Sequence, residues 1–486
     1  MKKIVNIICI LILLFSSIGF VNAFTSMSNI NDFDPLVDTS ITIDILCIRG
    51  LEESMDDEDP NLFMVISIDK DELLDPLWES SIWHNQKYIN NPQFSITYNV
   101  PDDEEHITIN FKLFDSTSNG NNLCDIGNQN NDVTITYNIK TGHWTGDDYI
   151  GDPSGYGRLN GCDDGSIYEN ELDYEIWFSI SQTDFDHDTI PYWTEVNQYG
   201  TDPEISNLGE DIDNDGVPIE WEHRWGYDPL VAEDHQLLDD DNDSISNYEE
   251  FLTTSFRSDP FRKDIFLEID WMEEGPNGET SEYPLRAREL LKNPFHRRNY
   301  MFHVDLGEEN GGELIPFKAR TGQDEIRDIY DEYFLHNGTY DWRRGVFHYA
   351  IFINECFPAG FAFSGDTPPY WGYIPGTNGF IVGSRLMEDR NSSWKFTDKP
   401  LEYFYGSVTM HEMGHNFGIK SGNPGGCDNF FAKYPWQIQF WVWRTYVSIM
   451  NYQYTYYHFD YSDGTNGWND FDDWSEIDLS YFEKPN

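Results

Sequence analysis

The sequence predicts a multidomain chain: an N-terminal antiparallel β-sandwich, a spacer of loop repeats, and a C-terminal α+β domain. Three observations predict it. Residues 40–181 contain short runs in which apolar and polar side chains alternate, residues 182–262 repeat themselves with a period of 27 to 28, and residues 263–486 switch between strand and helix patterns. Alternation with period 2 is the mark of a half-buried strand, and a fixed repeat marks one structural unit used several times.

Ahead of these units the chain begins MKKIVNIICILILLFSSIGFVNA, with two lysines, an apolar run and small residues Val21 and Ala23 before a cut. This reads as a secretory signal peptide over 1–23, so the mature chain is expected to start near Phe24 and to be secreted or displayed at a cell surface.

The sandwich is read from ITIDILCI, LFMVISID, FSITYNV, HITINFKLFD, DVTITYNI and YEIWFSI, separated by Asp, Asn, Gly and Pro. Acidic residues sit at strand ends: Asp56, Asp57 and Asp59 after the first strand, Asp115 and Asp125 after LFD. The arrangement is similar to calcium-dependent phospholipid-binding sandwiches of the protein kinase C type. That resemblance implies a targeting role and membrane association through the sandwich; solvated turn carboxylates are the plain alternative.

Three loops follow. DFDHDTIPYWTE, DIDNDGVPIEWE and DDDNDSISNYEE place acids at positions 1, 3, 5 and 12: Asp184, Asp186, Asp188, Glu195; Asp211, Asp213, Asp215, Glu222; Asp239, Asp241, Asp243, Glu250. Alternate oxygens at this spacing wrap a hard cation, and the final glutamate closes the sphere, as in an EF-hand loop. Only the second loop has the glycine of position 6, Gly216, where the others have Thr189 and Ser244. GTDP, GYDP and RSDP close the units, and the whole resembles thrombospondin type 3 calcium repeats. The resemblance implies bound Ca2+, little apolar core, and a spacer whose folding energy comes from the ions.

In the last unit KDIFLEIDWM, YMFHVDLG and VFHYAIFINE read as strands, Tyr283–Leu291 and DEIRDIYDEYFL as helices. They lead through the short strand GFIVGS to VTMHEMGHNFG at 408–418 and SIMNY at 448–452. On a helix His411 and His415 share one face and can reach one metal ion, with the Glu412 carboxylate beside them as a base; Gly418 lets the chain break out and turn back. HExxHxxG with a downstream Ser-Ile-Met-Asn-Tyr turn resembles the metzincin metallopeptidases. The resemblance implies Zn2+ on the two histidines, Met450 as a floor beneath the metal, Tyr452 near the tetrahedral intermediate, and GFIVGS as the sheet edge along which an extended substrate pairs.

One position departs from that pattern. The family's third ligand falls at Ser421, and a neutral hydroxyl is a poor zinc ligand. Asp428, after the pair Gly425–Gly426 that frees the backbone, is the first choice; Cys427, His458, Asp460, a water-completed site and a lost metal stay open.

A formal charge of -57 with 30 basic residues argues against nucleic acid or a bare anionic surface as partner. Bound divalent cations relieve such a charge, and halophilic solvation also accounts for the total. Aromatic residues at 16% are too many for a disordered acidic chain. After the leader, Cys47, Cys124, Cys162, Cys356 and Cys427 remain; export predicts disulfides, for which Cys124–Cys162 and Cys356–Cys427 are pairings available within domains, and sequence does not fix the connectivity. The expectation is a secreted zinc endopeptidase acting on protein substrates, with Glu412 as general base and Tyr452 as oxyanion donor. Its rival is a calcium-dependent surface or adhesion protein with a decayed peptidase domain, a reading supported by Ser421 alone.

Overall fold

The structure, a computed structural model, describes residues 33–480 except 52–58, 69–76, 149–155, 168–171, 308–311, 322, 356–359, 364–377 and 394–398. The expected leader, Asp56, Asp57 and Cys356 lie outside the described residues. Among the described residues no helix is long and apolar enough to cross a membrane.

The N-terminal unit is built from β1 (Ser40–Gly50), β2 (Leu62–Ile68), β3 (Leu77–Glu79), β4 (Tyr88–Asn99), β5 (His106–Thr117), β6 (Gly120–Leu123), β7 (Val133–Asn138), β8 (Trp144–Gly146), β9 (Tyr156–Asn160) and β10 (Tyr174–Gln182). One sheet runs β4-β1-β10-β9 and the other β3-β2-β5-β7-β8, with β6 paired to β5; every pairing is antiparallel. The six alternating runs became the long strands. Ile41, Ile43 and Ile45 of β1 meet Ile107, Ile109, Phe111 and Leu113 of β5 in one core between the sheets.

β1 then changes its facing. Its register slips between Ile45 and Cys47 against both neighbours, a β-bulge. Because side chains alternate with period 2, the slip keeps Ile48 in the sandwich core and turns Cys47 outward. On the neighbouring β10 the outward positions are Glu175 and Trp177, while Ile176 and Phe178 stay inside. The outer face of this sheet is therefore buried against the rest of the molecule.

The C-terminal unit contains β11 (Asp264–Met272), β12 (Met301–Asp305), β13 (Leu314–Ile315), β14 (Phe347–Ile353), β15 (Gly360–Ala362) and β16 (Gly379–Gly383). The order is β12-β11-β14-β16-β15, parallel except for β15, with β13 added at the end of β11. A parallel sheet needs cover on both faces, which is why its strands read as nearly continuous apolar runs. Ile265, Leu267 and Ile269 face the helices Leu285–His296 and Leu401–Asn416, whereas Phe266, Tyr349 and Ile351 face the segment Gln323–Phe334. The GFIVGS strand is not the edge: β16 is buried between β14 and β15, and the three-residue β15 takes the outer position.

The repeat segment is not a spacer that holds two bodies apart. Val217, Trp221 and Trp225 pack in one cluster with Cys47 and Trp177 of the sandwich and Met301 of β12. Position 7 of each loop, Ile190, Val217 and Ile245, is buried at no more than 2% exposure, so the segment has an apolar core after all. The sandwich also touches the C-terminal unit directly: Arg49 pairs with Glu289 at 2.7 Å and Asn293 donates to the Gly50 carbonyl at 3.0 Å. The expected Cys124–Cys162 disulfide is not formed. Cys162 and Cys427 carry buried free thiols; Cys162 lies against Asp173, and the Cys427 backbone pairs with Asn451.

Candidate metal centres

Each of the three loops folds around its own first aspartate. The position-6 amides of Thr189, Gly216 and Ser244 donate to Asp184, Asp211 and Asp239 at 2.7, 3.0 and 3.1 Å. The position-7 amides of Ile190, Val217 and Ile245 donate to Asp188, Asp215 and Asp243. Position 6 is left-handed in all three, with φ of 74° at Thr189, 109° at Gly216 and 77° at Ser244. A β-branched residue is sterically disfavoured in that conformation. Thr189 holds it nonetheless, so lack of glycine does not change the loop's shape.

The closing glutamates are buried: Glu195 is 1% exposed, Glu222 0% and Glu250 2%. Burial first, then the loop aspartates, raise Glu195 to about 8 and Glu222 to about 9, and Glu250 well above its ordinary value. Both carboxylate oxygens of Asp213 and of Glu222 make no hydrogen bond. Acidic oxygens turned towards one another without donors form a site that a cation completes. The sets Asp184–Asp186–Asp188, Asp211–Asp213–Asp215 and Asp239–Asp241–Asp243 each converge closely enough to hold one. Of the sandwich carboxylates, Asp115 and Asp125 accept the backbone amides of Asn61 and Gly127, an ordinary turn role.

The C-terminal site starts at the helix Leu401–Asn416, which ends in a turn where Gly418 takes φ of 93° and the Ile419 amide reaches back to the Gly414 carbonyl at 3.0 Å. The chain then loops round to Asp428, which adopts φ of 54° and donates its amide to the Met450 carbonyl at 3.2 Å. Gly425 and Gly426 do not serve as hinges. They lie flat beneath Trp443 and Tyr446, where a Cβ would fall 2.7 Å from each ring. Close packing demands glycine there.

The result is convergence of three side chains. Nε2 of His411 lies 2.9 Å from Asp428 Oδ1, and Nε2 of His415 lies 3.1 Å from Asp428 Oδ2. Nδ1 of His411 faces the Ile449 carbonyl at 3.0 Å and Nδ1 of His415 the Ile419 carbonyl at 2.6 Å. A carbonyl only accepts, so both Nδ1 atoms carry hydrogens, and in their neutral form both rings would present Nε2 lone pairs to a carboxylate. Lone pairs cannot rest against carboxylate oxygens unless positive charge lies between them, as second protons or as a metal ion. Burial lowers the His415 imidazolium, but Asp428 outweighs it and raises the group to about 9; His411 is raised for the same reason. Burial pushes Asp428 up, and the two imidazoles hold it far below the carboxylate range.

Glu412 is 5% exposed, and its carboxylate lies against Gly360 of β15, where a Cβ would come within 2.6 Å of Oε1. Burial raises its pKa, the two imidazoles oppose that, and the Ala362 amide donates to it. The edge strand is thus pinned to the base. Sequence reading missed β15, since three residues carry no periodicity. Met450 is fully buried beneath the helix against Gly414. Tyr452 stacks on His411 with centroids 5.7 Å apart, and its hydroxyl engages Asp428. Ser421 is exposed. Asp460 binds Arg298 at 3.2 Å and Trp474 at 3.1 Å, which commits it to packing. His458 donates its amide to the Tyr454 carbonyl at 2.9 Å in a partly buried turn.

No family model matches the chain, and no curated protein does. Among solved structures it is similar to a C2 domain of plant Extended Synaptotagmin 1 at 12% identity and a TM-score of 0.19, over 29% of this chain and 94% of that one. It is similar to a further C2 domain at 12% identity and a TM-score of 0.18, over 30% and 98%. A third likeness is to human GIVD cytosolic phospholipase A2 in complex with methyl gamma-linolenyl fluorophosphonate, at 10% identity and a TM-score of 0.19, over 32% of this chain; the match spans 18% of the phospholipase. Likenesses at these TM-scores assign neither fold nor function, and the sandwich stands on its own strand pairing.

Proposed function

We propose that the chain is a secreted zinc endopeptidase of metzincin type whose loop repeats hold calcium. The observation that supports it best is the commitment of both Nδ1 atoms to carbonyls while both Nε2 atoms converge on Asp428. Two imidazoles and one carboxylate are an established donor set for catalytic zinc. Held by His411, His415 and Asp428, zinc would supply Lewis acidity to the scissile carbonyl and would acidify the attacking water. Glu412 takes that water's proton and passes it to the leaving amine; its raised pKa suits both transfers. β15, the outermost strand of this sheet among the described residues and beside Glu412, is where an extended substrate would pair. Tyr452 positions Asp428, and donation to the oxyanion requires its hydroxyl to leave that carboxylate. Phe430, 65% exposed and packed on Tyr452, gives the rim an apolar character that favours apolar substrate side chains.

Asp428→Ala is expected to weaken zinc binding at least about tenfold, and Ser421→Ala to leave it unchanged. Competition titration of both variants tests the assignment. An Asp428→Ala protein that binds zinc like the parent would sink it.

Removing calcium while sparing zinc is expected to expose residues 184–260 to protease and to lower the melting temperature of the whole chain. The second effect follows because Val217, Trp221 and Trp225 pack against both flanking units. Limited proteolysis and calorimetry with and without a calcium-selective chelator read the two effects; identical traces would leave plain acidic turns.

A further inference from the structure

We infer that the second loop is a mixed nitrogen–oxygen site for a borderline first-row transition divalent cation, with His235 as its nitrogen ligand. This rests on the reading of the loops as cation sites and changes the ion that one of them takes. Ligand atoms of His235, Asp215 and Glu222 lie within 4.8 Å of one another. Nε2 of His235 is 3.2 Å from Asp215 Oδ2 and 4.0 Å from Glu222 Oε1. His235 and Glu222 are both 0% exposed. Neither that Nε2 nor either Glu222 oxygen makes a hydrogen bond. A fully buried imidazole is thus aimed at Asp215, whose oxygens accept the Val217 and Glu233 amides, and at Glu222, whose oxygens have no donor.

Its placement is rigid. The ring stands perpendicular to those of Trp221 and Tyr227, with centroids 5.6 and 5.0 Å away, and the Tyr248 amide donates to the His235 carbonyl at 3.0 Å. The Asn247 amide lies 3.3 Å from Nδ1. The atom that faces Nδ1 is Nδ2, while the buried Oδ1 makes no hydrogen bond; turning the amide over, which exchanges two nearly equivalent atoms, lets Oδ1 accept Nδ1–H, fixes the tautomer and leaves the Nε2 lone pair on the carboxylate side. The repeat makes the position specific. In each unit a backbone amide from the closing segment caps the position-5 aspartate: Asn207 on Asp188 at 3.0 Å, Glu233 on Asp215 at 3.1 Å, Asp264 on Asp243 at 2.7 Å. Two residues on stand Gly209, which has no side chain, His235, and Phe266, which lies in the C-terminal core. The second unit alone gains a ligand there.

Calcium takes oxygen ligands, whereas imidazole suits zinc, cobalt and nickel. Cobalt binding to full-length protein in excess calcium tests the proposal. The His411→Ala/His415→Ala protein serves as host, because its C-terminal site has lost its nitrogen donors. Expected are retention of tightly bound cobalt, 14N modulation from one imidazole in pulsed electron paramagnetic resonance, and affinity at least about tenfold lower on adding His235→Gln. The spectrum needs no change at position 235, so misfolding of that variant cannot hide the answer. Cobalt that shows no nitrogen modulation, or no retained cobalt while calcium fills all three loops, overturns the proposal. Binding of neither ion overturns it together with the reading of the loops as cation sites.

Discussion

Glu412→Gln is expected to leave zinc bound and to remove at least about a thousandfold of peptidase activity. Glutamine matches the volume of the buried side chain and still accepts from the Ala362 amide, so the contact with β15 survives. What disappears is the base. The two imidazoles and Asp428 are untouched, hence zinc content should equal the parent's. Hydrolysis of a protein substrate and metal analysis on the same preparation check both halves. Activity at the parental rate would remove Glu412 from the mechanism. A parent protein that neither holds zinc nor cleaves protein would instead favour the calcium-dependent adhesin with a decayed peptidase domain.

The parts of this site that could be read in advance were those fixed by local spacing. His411, Glu412 and His415 share a helix, and the twelve loop carboxylates repeat at fixed offsets, so both patterns survive whatever the rest of the chain does. Asp428 could be ranked first among alternatives by its chemistry and by a glycine pair read as freeing the backbone; the pair instead packs against Trp443 and Tyr446, a contact across many residues that local spacing does not show. The long strands were legible from alternation, but the short strands β3, β6, β8, β9 and β15 have too few residues to alternate. The β1 bulge was hidden too, because ITIDILCI keeps its pattern until the slip reassigns Cys47. His235 sits outside the twelve-residue loop register, and its signal was only a histidine in a segment that otherwise offers oxygen. Nor does sequence show that acidic repeats with aromatic residues between them wedge into two other units. Trp221 and Trp225 were the clue, since a solvated spacer has no use for buried indoles.

That wedge joins a buried charge network, and Glu175→Gln is expected to cost roughly 3 to 5 kcal/mol of stability. Glu175 is fully buried on the outer face of β10. Arg158 grips one oxygen, Arg49 approaches the other at 3.4 Å, and Trp177 donates to the first at 2.5 Å. Burial would raise its pKa, but Arg158 and then His296 overcome that and hold it well below the usual range. Although the His296–Glu175 contact at 2.7 Å has the geometry of an ion pair, the ring is neutral: burial lowers it to about 4, outweighing the pull of Glu175. The Phe302 amide donates to Nε2 at 3.2 Å, which leaves Nδ1–H to donate to Glu175. Arg158 also reaches the His296 carbonyl, so the network ties sandwich to C-terminal helix. Removing the carboxylate charge takes the paired carboxylate from the buried Arg158 guanidinium and leaves Arg49 with Glu289 alone. The pH dependence follows in sign. Between about 6.5 and 4 an unfolded histidine binds a proton that folded His296 refuses, so stability falls on acidification through that window. Below the ordinary glutamate value the parent loses the Glu175 contribution as well, whereas Glu175→Gln has none left to lose. Thermal melts of parent and variant across pH 7 to 4, with calcium held constant, measure both effects. Superimposable melting curves at pH 7 would show that the interface does not depend on this charge, and its stability would then rest on the apolar cluster of Cys47, Trp177, Trp221, Trp225 and Met301.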